Sequence, residues 1–123
     1  MTSIKSFSQL TAWKKAHEFA LLLYKETSFF PEEEKFGLVS QLRRAVVSIT
    51  SNIVEGFGRR GKKEKIQFYT TAKSSNLEIQ SQLLISRDLK YLNKEQFDRL
   101  AKLSNEVGKL VGGLIKSSLN SKY

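Results

Sequence analysis

The stretch FGLVSQLRRAVVSITSNIVEGFGRRGKKE, residues 36–64, decides the fold. Leu38, Val39, Leu42, Val46, Ile49 and Ile53 recur at spacings of three and four, which on a helix gathers them into one stripe about 100° wide. Phe36, Val47 and Val54 fall on a second, narrower strip beside Arg43 and Thr50, so this helix has two sets of neighbours. The remaining face carries Ser40, Gln41, Arg44, Ser48, Ser51, Asn52 and Glu55. Short polar groups of this kind, in place of a Lys/Glu mixture, predict partial burial with internal hydrogen bonds. The helix is expected to stop at Gly56, where Gly56-Phe57-Gly58-Arg59-Arg60-Gly61 spells G-x-G-x-x-G. The dinucleotide fingerprint needs a strand before that motif and a βαβ unit around it, and a helix pattern stands there instead. What remains is a basic turn. Arg59, Arg60, Lys62 and Lys63 sit where a new helix begins, and a helix N-terminus favours anions. The same residues also fit an ordinary helix-helix turn with solvated cations.

Working outward, one proline and seven glycines in 123 residues leave long stretches free of helix breakers, which reads as all-α. The first helix is expected over about 11–27, with Thr11 as N-cap, ending before Ser28-Phe29-Phe30-Pro31. Phe29 and Phe30 are expected to plug one end of the core. The apolar residues of this helix spread over roughly 200°, twice what a simple surface helix needs. His17, the only histidine, lies inside that arc and reads as a packed imidazole. Pro31-Glu32-Glu33-Glu34 reads as the first turn of helix two, over 32–56, with acids placed as the macrodipole prefers. Helix three is expected over 62–92. One of its faces carries Phe68, Ala72, Ser75, Ile79, Leu83 and Ser86, and another carries Ile66, Leu77, Leu84 and Tyr91, the last three at heptad spacing. Glu78 and Gln82 are placed to reach Arg43, Arg44 or Asn52, or else to lie on the rim. Asn93-Lys94-Glu95-Gln96 resembles a capping box opening helix four over 94–118. On that helix Gly108 and Gly112 suggest close backbone approach, Lys102, Lys109 and Lys116 repeat every seven residues as a basic stripe, and residues 117–123 are expected to fray. The fold expected is a single-domain, up-down antiparallel four-helix bundle.

The net charge is +9, with twelve Lys/Arg against six Asp/Glu in residues 62–123 and nine against six before them. That balance favours polyanionic partners, RNA or DNA first and anionic surfaces after them. The chain has no cysteine, so it has neither a disulfide framework nor a thiolate site. MTSIKSFSQL carries no apolar leader segment, and no run is long and apolar enough to span a bilayer, so a cytoplasmic protein is expected.

The runs Trp13-Lys14-Lys15-Ala16-His17, Lys35-Phe36-Gly37-Leu38, Ser40-Gln41-Leu42-Arg43-Arg44-Ala45 and Ser51-Asn52-Ile53-Val54-Glu55-Gly56-Phe57-Gly58-Arg59 carry a likeness that Glu78, Gln82-Leu83 and Tyr91-Leu92 continue. The chain resembles the bacterial four-helix bundle family also called 23S ribosomal RNA intervening-sequence proteins, and is related through it to the accessory proteins of diversity-generating retroelements. The resemblance implies an up-down bundle assembling into a homopentamer. Its retroelement branch, a basic pentamer working with a reverse transcriptase and nucleic acid, lends support by analogy to the electrostatic reading. Thr50 stands where the family often has proline, Val54 where it often has alanine and Ser74 where glycine is common. A softer kink in helix two and looser packing near Val54 and Ser74 follow.

The leading expectation is a non-enzymatic, oligomeric nucleic-acid-binding protein using Arg59, Arg60, Lys62, Lys63, Arg44, Lys102, Lys109 and Lys116. The alternative is a scaffold for an acidic protein partner. Neither cofactor nor metal is expected: His17-Glu18 lacks the second histidine of H-E-x-x-H, no nucleophile-elbow motif occurs, and Glu55 and Glu78, the one carboxylate pair to consider for Mg²⁺, read more simply as helical polar groups.

Overall fold

The computed structural model describes residues 4–121, and among them there are four helices and no strand: α1 (Thr11–Thr27), α2 (Leu38–Phe57), α3 (Lys62–Asp88) and α4 (Lys94–Leu119). Consecutive helices pack side by side, and α1 closes the ring against α4. Cross-helix bonds fix the antiparallel register: Gln41 to Gln82 and Ser48 to Ser75 between α2 and α3, Asn76 to Ser104 between α3 and α4, and Lys15 to Glu106 with Glu26 to Gln96 between α1 and α4.

The core is the stripe expected of α2, with Leu42, Val46, Ile49 and Ile53 fully buried, packed on Phe19 and Leu23 of α1, Ile79 and Leu83 of α3, and Leu100, Val107 and Val111 of α4. Each such side chain contributes about 1.5–3 kcal/mol by leaving water. Two core members, Tyr69 and Asn76, lie off the face read from the α3 pattern. Burial pushes the Tyr69 phenol above its ordinary value. The polar side of α2 does fold inward at its centre, where Asn52 donates to the Ser48 carbonyl (2.8 Å) and Ser48 meets Ser75 (2.9 Å).

Several boundaries differ from expectation. Thr11 is the first helical residue of α1 and Leu10 its N-cap. The three acids form a separate 3₁₀ turn, Glu32–Glu34, and α2 starts only at Leu38. Glu34 still caps α2 from outside: one carboxylate oxygen accepts from the Leu38 amide (3.2 Å) and the other from the Tyr91 hydroxyl (2.9 Å). That hydrogen bond raises the Tyr91 phenol above its usual value. Phe30 is buried against the Tyr91 ring and plugs this end, whereas Phe29 is exposed. α2 runs unbroken through Thr50, whose hydroxyl donates to the Val47 carbonyl (2.9 Å). α4 keeps its capping box and extends to Leu119, past the point where fraying was expected, while residues 122–123 lie outside the described residues.

α3 stops at Asp88, four residues early, because Lys90 turns left-handed at φ 69°. The Tyr91 amide donates to the Ser86 carbonyl (2.9 Å) and the Lys90 amide to that of Arg87 (3.0 Å), the paired bonds of a Schellman ending. A side chain in that conformation costs about 1–2 kcal/mol, which glycine escapes at some expense in unfolded-chain entropy. Lys90→Gly is therefore expected to stabilise the fold by about 1 kcal/mol, seen as a rise of about 4 °C in Tm. An unchanged or lower Tm in a calorimetric scan would contradict it.

Candidate nucleic-acid interface

The basic turn joins α2 to α3 at one end of the bundle. Gly56 is buried inside the last turn of α2, and a Cβ there would lie 2.5 Å from the Tyr69 ring. None of the turn's glycines has positive φ, so the motif's first glycine is explained by helix–helix contact and not by anion binding. The C-terminal carbonyls of α2 are taken by Lys65, whose Nζ donates to Gly56 and Phe57, both at 3.0 Å. A cation at that end also suits the macrodipole.

The four cations singled out at the turn divide into two kinds. Arg59 donates to Glu55 (2.8 Å), lies 3.9 Å from Glu64 and stacks its guanidinium 4.8 Å over the Phe68 ring. Its Nε is buried without a hydrogen-bond partner. Lys62 reaches the end of α4, with its Nζ 3.5 Å from the Leu119 carbonyl and 3.4 Å from that of Ser121. Arg60 and Lys63, by contrast, are exposed and have no protein partner among the described residues. The α3 N-terminus has no side-chain cap, and Glu64 supplies a negative charge in its first turn.

The other four predicted residues do not join that cluster. Lys102, Lys109 and Lys116 stand exposed along α4 without protein partners among the described residues, and Lys116 lies within a turn of the Lys62 contact. Arg44 is exposed on α2, donating to the Ser40 hydroxyl (3.2 Å). Sequence reading misses Lys65 and also Lys73, which faces Lys109 across a groove between α3 and α4. Nothing in the linear pattern separates Lys73 from a solvated lysine; its place depends on the α3–α4 register set by Asn76 and Ser104.

Three further expectations are corrected. His17 is exposed, not packed in the core, and its ring stacks on Trp13 at 4.7 Å, because the wide apolar arc of α1 includes an outward face. Gln82 is buried, but its amide reaches Gln41 (2.9 Å) and Glu78 (3.3 Å) and not Arg43, Arg44 or Asn52. Arg43 instead turns toward α1, donating to Thr27 (3.0 Å) with its guanidinium over the Tyr24 ring. Gly108 does lie close to another side chain, since a Cβ there would be 3.3 Å from the Asn76 amide nitrogen, but a Cβ at Gly112 would meet open space.

The helix order, the α2 stripe and the basic turn are the setting in which likeness to known proteins has meaning. The family model described as 23S rRNA-intervening sequence protein matches residues 8–113. The chain belongs to this family. Its fold is also that of a solved structure, a crystal structure of a protein with unknown function from the S23 ribosomal protein family of Bacteroides thetaiotaomicron VPI-5482, with TM-score 0.79 and 26% identity over 85% of this chain and 95% of that one. No curated protein matches the chain. The matched span takes in all of α1, α2 and α3 and the basic turn, so the turn is part of the family's common body. Among the described residues no helix is long and apolar enough to cross a membrane.

Proposed function

We propose that this chain is a small, non-enzymatic, cytoplasmic protein that binds nucleic acid through its phosphates and works as a closed homo-oligomer. The observation that carries the reading is the pair Arg60 and Lys63, exposed and unpaired among the described residues at a turn tied down by Arg59, Lys62 and Lys65, on a chain of net charge +9. A preorganised turn presents these cations with little ordering cost. Family membership supports the reading through the family's name, which links it to ribosomal RNA. The non-enzymatic part rests on the side chains themselves: Glu55 is bound to Arg59, Glu78 accepts from Gln82, and the single histidine stacks on a tryptophan.

Assembly is supported by apolar groups that one bundle leaves in water. Leu21 is 60% exposed on α1, Val47 43% on α2, and Leu84 44% on α3. Exposed apolar surface on two separate sides of a bundle suits a ring of copies, and the resemblance suggests five. Repeating the turn in each subunit makes weak phosphate contacts avid.

The test is a salt titration of RNA and DNA affinity, with light scattering on the same samples. Removing Arg60 and Lys63 together as alanines is expected to weaken binding and lower the salt slope by about 2 while leaving the oligomer intact. Extending the alanines to Arg59 and Lys62 is expected to cost stability as well. Coincident titration curves for wild type and the double variant would show that the turn is only a turn, and preferential binding of an acidic protein would transfer the surface to the scaffold reading. Scattering from a monomer at micromolar concentration would overturn the assembly.

A further inference from the structure

Between α3 and α4, away from the turn, lies an open groove of about 420 Å³ whose walls include Lys73, Leu77 and Gln80 on one side and Asn105, Gly108 and Lys109 on the other. We infer that this groove seats one single strand of nucleic acid. The inference rests on the nucleic-acid reading above and adds to it a second contact surface and a strand type.

The lining contains two lysines and no carboxylate. Both lysines are exposed and have no protein partner among the described residues, and on the same helices Glu106 is paired with Lys15, Asp98 with Lys94 and Asp88 with Arg87. The groove is therefore a local concentration of positive charge on an already basic chain. Lys102 and Lys116 stand one heptad on either side of Lys109, each about 10 Å from it along α4 at 1.5 Å per residue. Lys116 extends the positive line from the groove toward the end where Lys62 meets α4, and Lys102 extends it the other way.

The groove also offers what bases need. Gln80 donates through its amide nitrogen to Ser104 (2.9 Å) and more weakly to Asn105 (3.5 Å). Among the described residues this leaves the Gln80 carbonyl oxygen and the Asn105 amide nitrogen without protein partners, one acceptor and one donor at the groove wall. Leu77, 57% exposed, gives an apolar surface for a base face. At Gly108 the floor has no side chain, and the space above it is limited only by the Asn76 amide. Access to the bases decides the strand type: a single strand can turn unstacked bases toward these groups, whereas a duplex keeps its base faces stacked and its edges paired. Contacts to bases without a fixed donor and acceptor pattern along the strand imply weak sequence preference.

The test compares full-length wild type, Lys73→Ala/Lys109→Ala and Arg60→Ala/Lys63→Ala on a single-stranded oligouridylate and on an RNA duplex of equal length. Wild type is expected to prefer the single strand. The groove variant should lose about tenfold on the single strand at low salt, with the salt slope reduced by about 1.4, and should keep its duplex affinity. The turn variant should weaken on both. Asn105→Asp, which places a carboxylate in the groove without removing a lysine, should repeat the groove variant's selective loss, and all variants should melt near the wild-type temperature. If the groove variants bind the single strand like wild type while the turn variant weakens, the groove inference falls and the nucleic-acid reading stands. If wild type binds neither RNA and neither of the matching single-stranded and duplex DNAs, both fall. Equal loss on strand and duplex, or equal competition by polyglutamate, would also overturn the groove's assignment to a single strand.

Discussion

Gly56→Ala is expected to destabilise the bundle by about 2–3 kcal/mol and to lower Tm by about 10 °C, although alanine is the better helix former. Propensity alone predicts the opposite, a gain of about 1 kcal/mol for replacing a glycine inside a helix. The clash decides the sign. A Cβ at this position meets three carbons of the Tyr69 ring at 2.5, 2.8 and 3.0 Å, and that ring is only 3% exposed, so it has little room to turn away. Either Tyr69 leaves a core rotamer or α2 and α3 separate at the end where the basic turn is built. Chemical denaturation of Gly56→Ala, Tyr69→Leu and the double variant checks the cause, because shortening the ring should relieve the alanine and leave a coupling of at least about 1 kcal/mol. Additive losses would place the defect elsewhere.

The core of this bundle is legible because buried helix faces repeat at three and four, and α2 shows the pattern without interruption from Leu38 to Ile53. It fails where an apolar residue is not a buried one. On α1 the arc is wide enough to hold both a core face and an outward face, and His17 belongs to the second. α3 hides its ending for a different reason: no glycine or proline marks it, and Lys90 accepts a conformation that glycine would ordinarily take. The start of α2 is misread at Pro31 because proline followed by acids is a true helix-start signal. It is used here for a 3₁₀ turn whose last acid, Glu34, caps the longer helix behind it.

The candidate interface is less legible than the fold, since adjacent cations look alike until their partners are known. Arg59 and Arg60 are neighbours of the same type. One is spent on Glu55, Glu64 and Phe68, and the other stands free. Only the helix phase tells them apart, since Arg59 lies four residues after Glu55 on the α2 side. Glycines mislead in the same way. The G-x-G-x-x-G pattern draws attention to backbone amides, but the first glycine answers to the Tyr69 ring, thirteen positions along the chain and close only after folding. Lys73 and Lys109 are thirty-six positions apart and share a groove because α3 and α4 are antiparallel in one particular register.

That register is held by a buried polar contact whose loss should be costly. Asn76, 3% exposed, donates through Nδ2 to the Ser104 carbonyl (2.9 Å) and accepts through Oδ1 from the Ser104 hydroxyl (2.8 Å), while Gln80 donates to the same hydroxyl. Asn76→Asp keeps the shape but removes the donor, and it turns an acceptor toward a backbone carbonyl. Desolvation and that carbonyl both disfavour the charged carboxylate, so the introduced carboxyl should have a folded-state pKa well above its unfolded value of about 3.9. A shift of about 3 units corresponds to about 4 kcal/mol lost at pH 7. The sign follows from linkage: with the folded pKa raised, stability is retained below the unfolded pKa, where a protonated carboxyl can still donate to Ser104, and is lost as pH rises through the folded value. Denaturation of wild type and variant at pH 4 and pH 7 should therefore show a small deficit at the lower pH and a large one at the higher. Equal deficits at both would mean that water reaches position 76 and that the α3–α4 register rests on apolar packing alone.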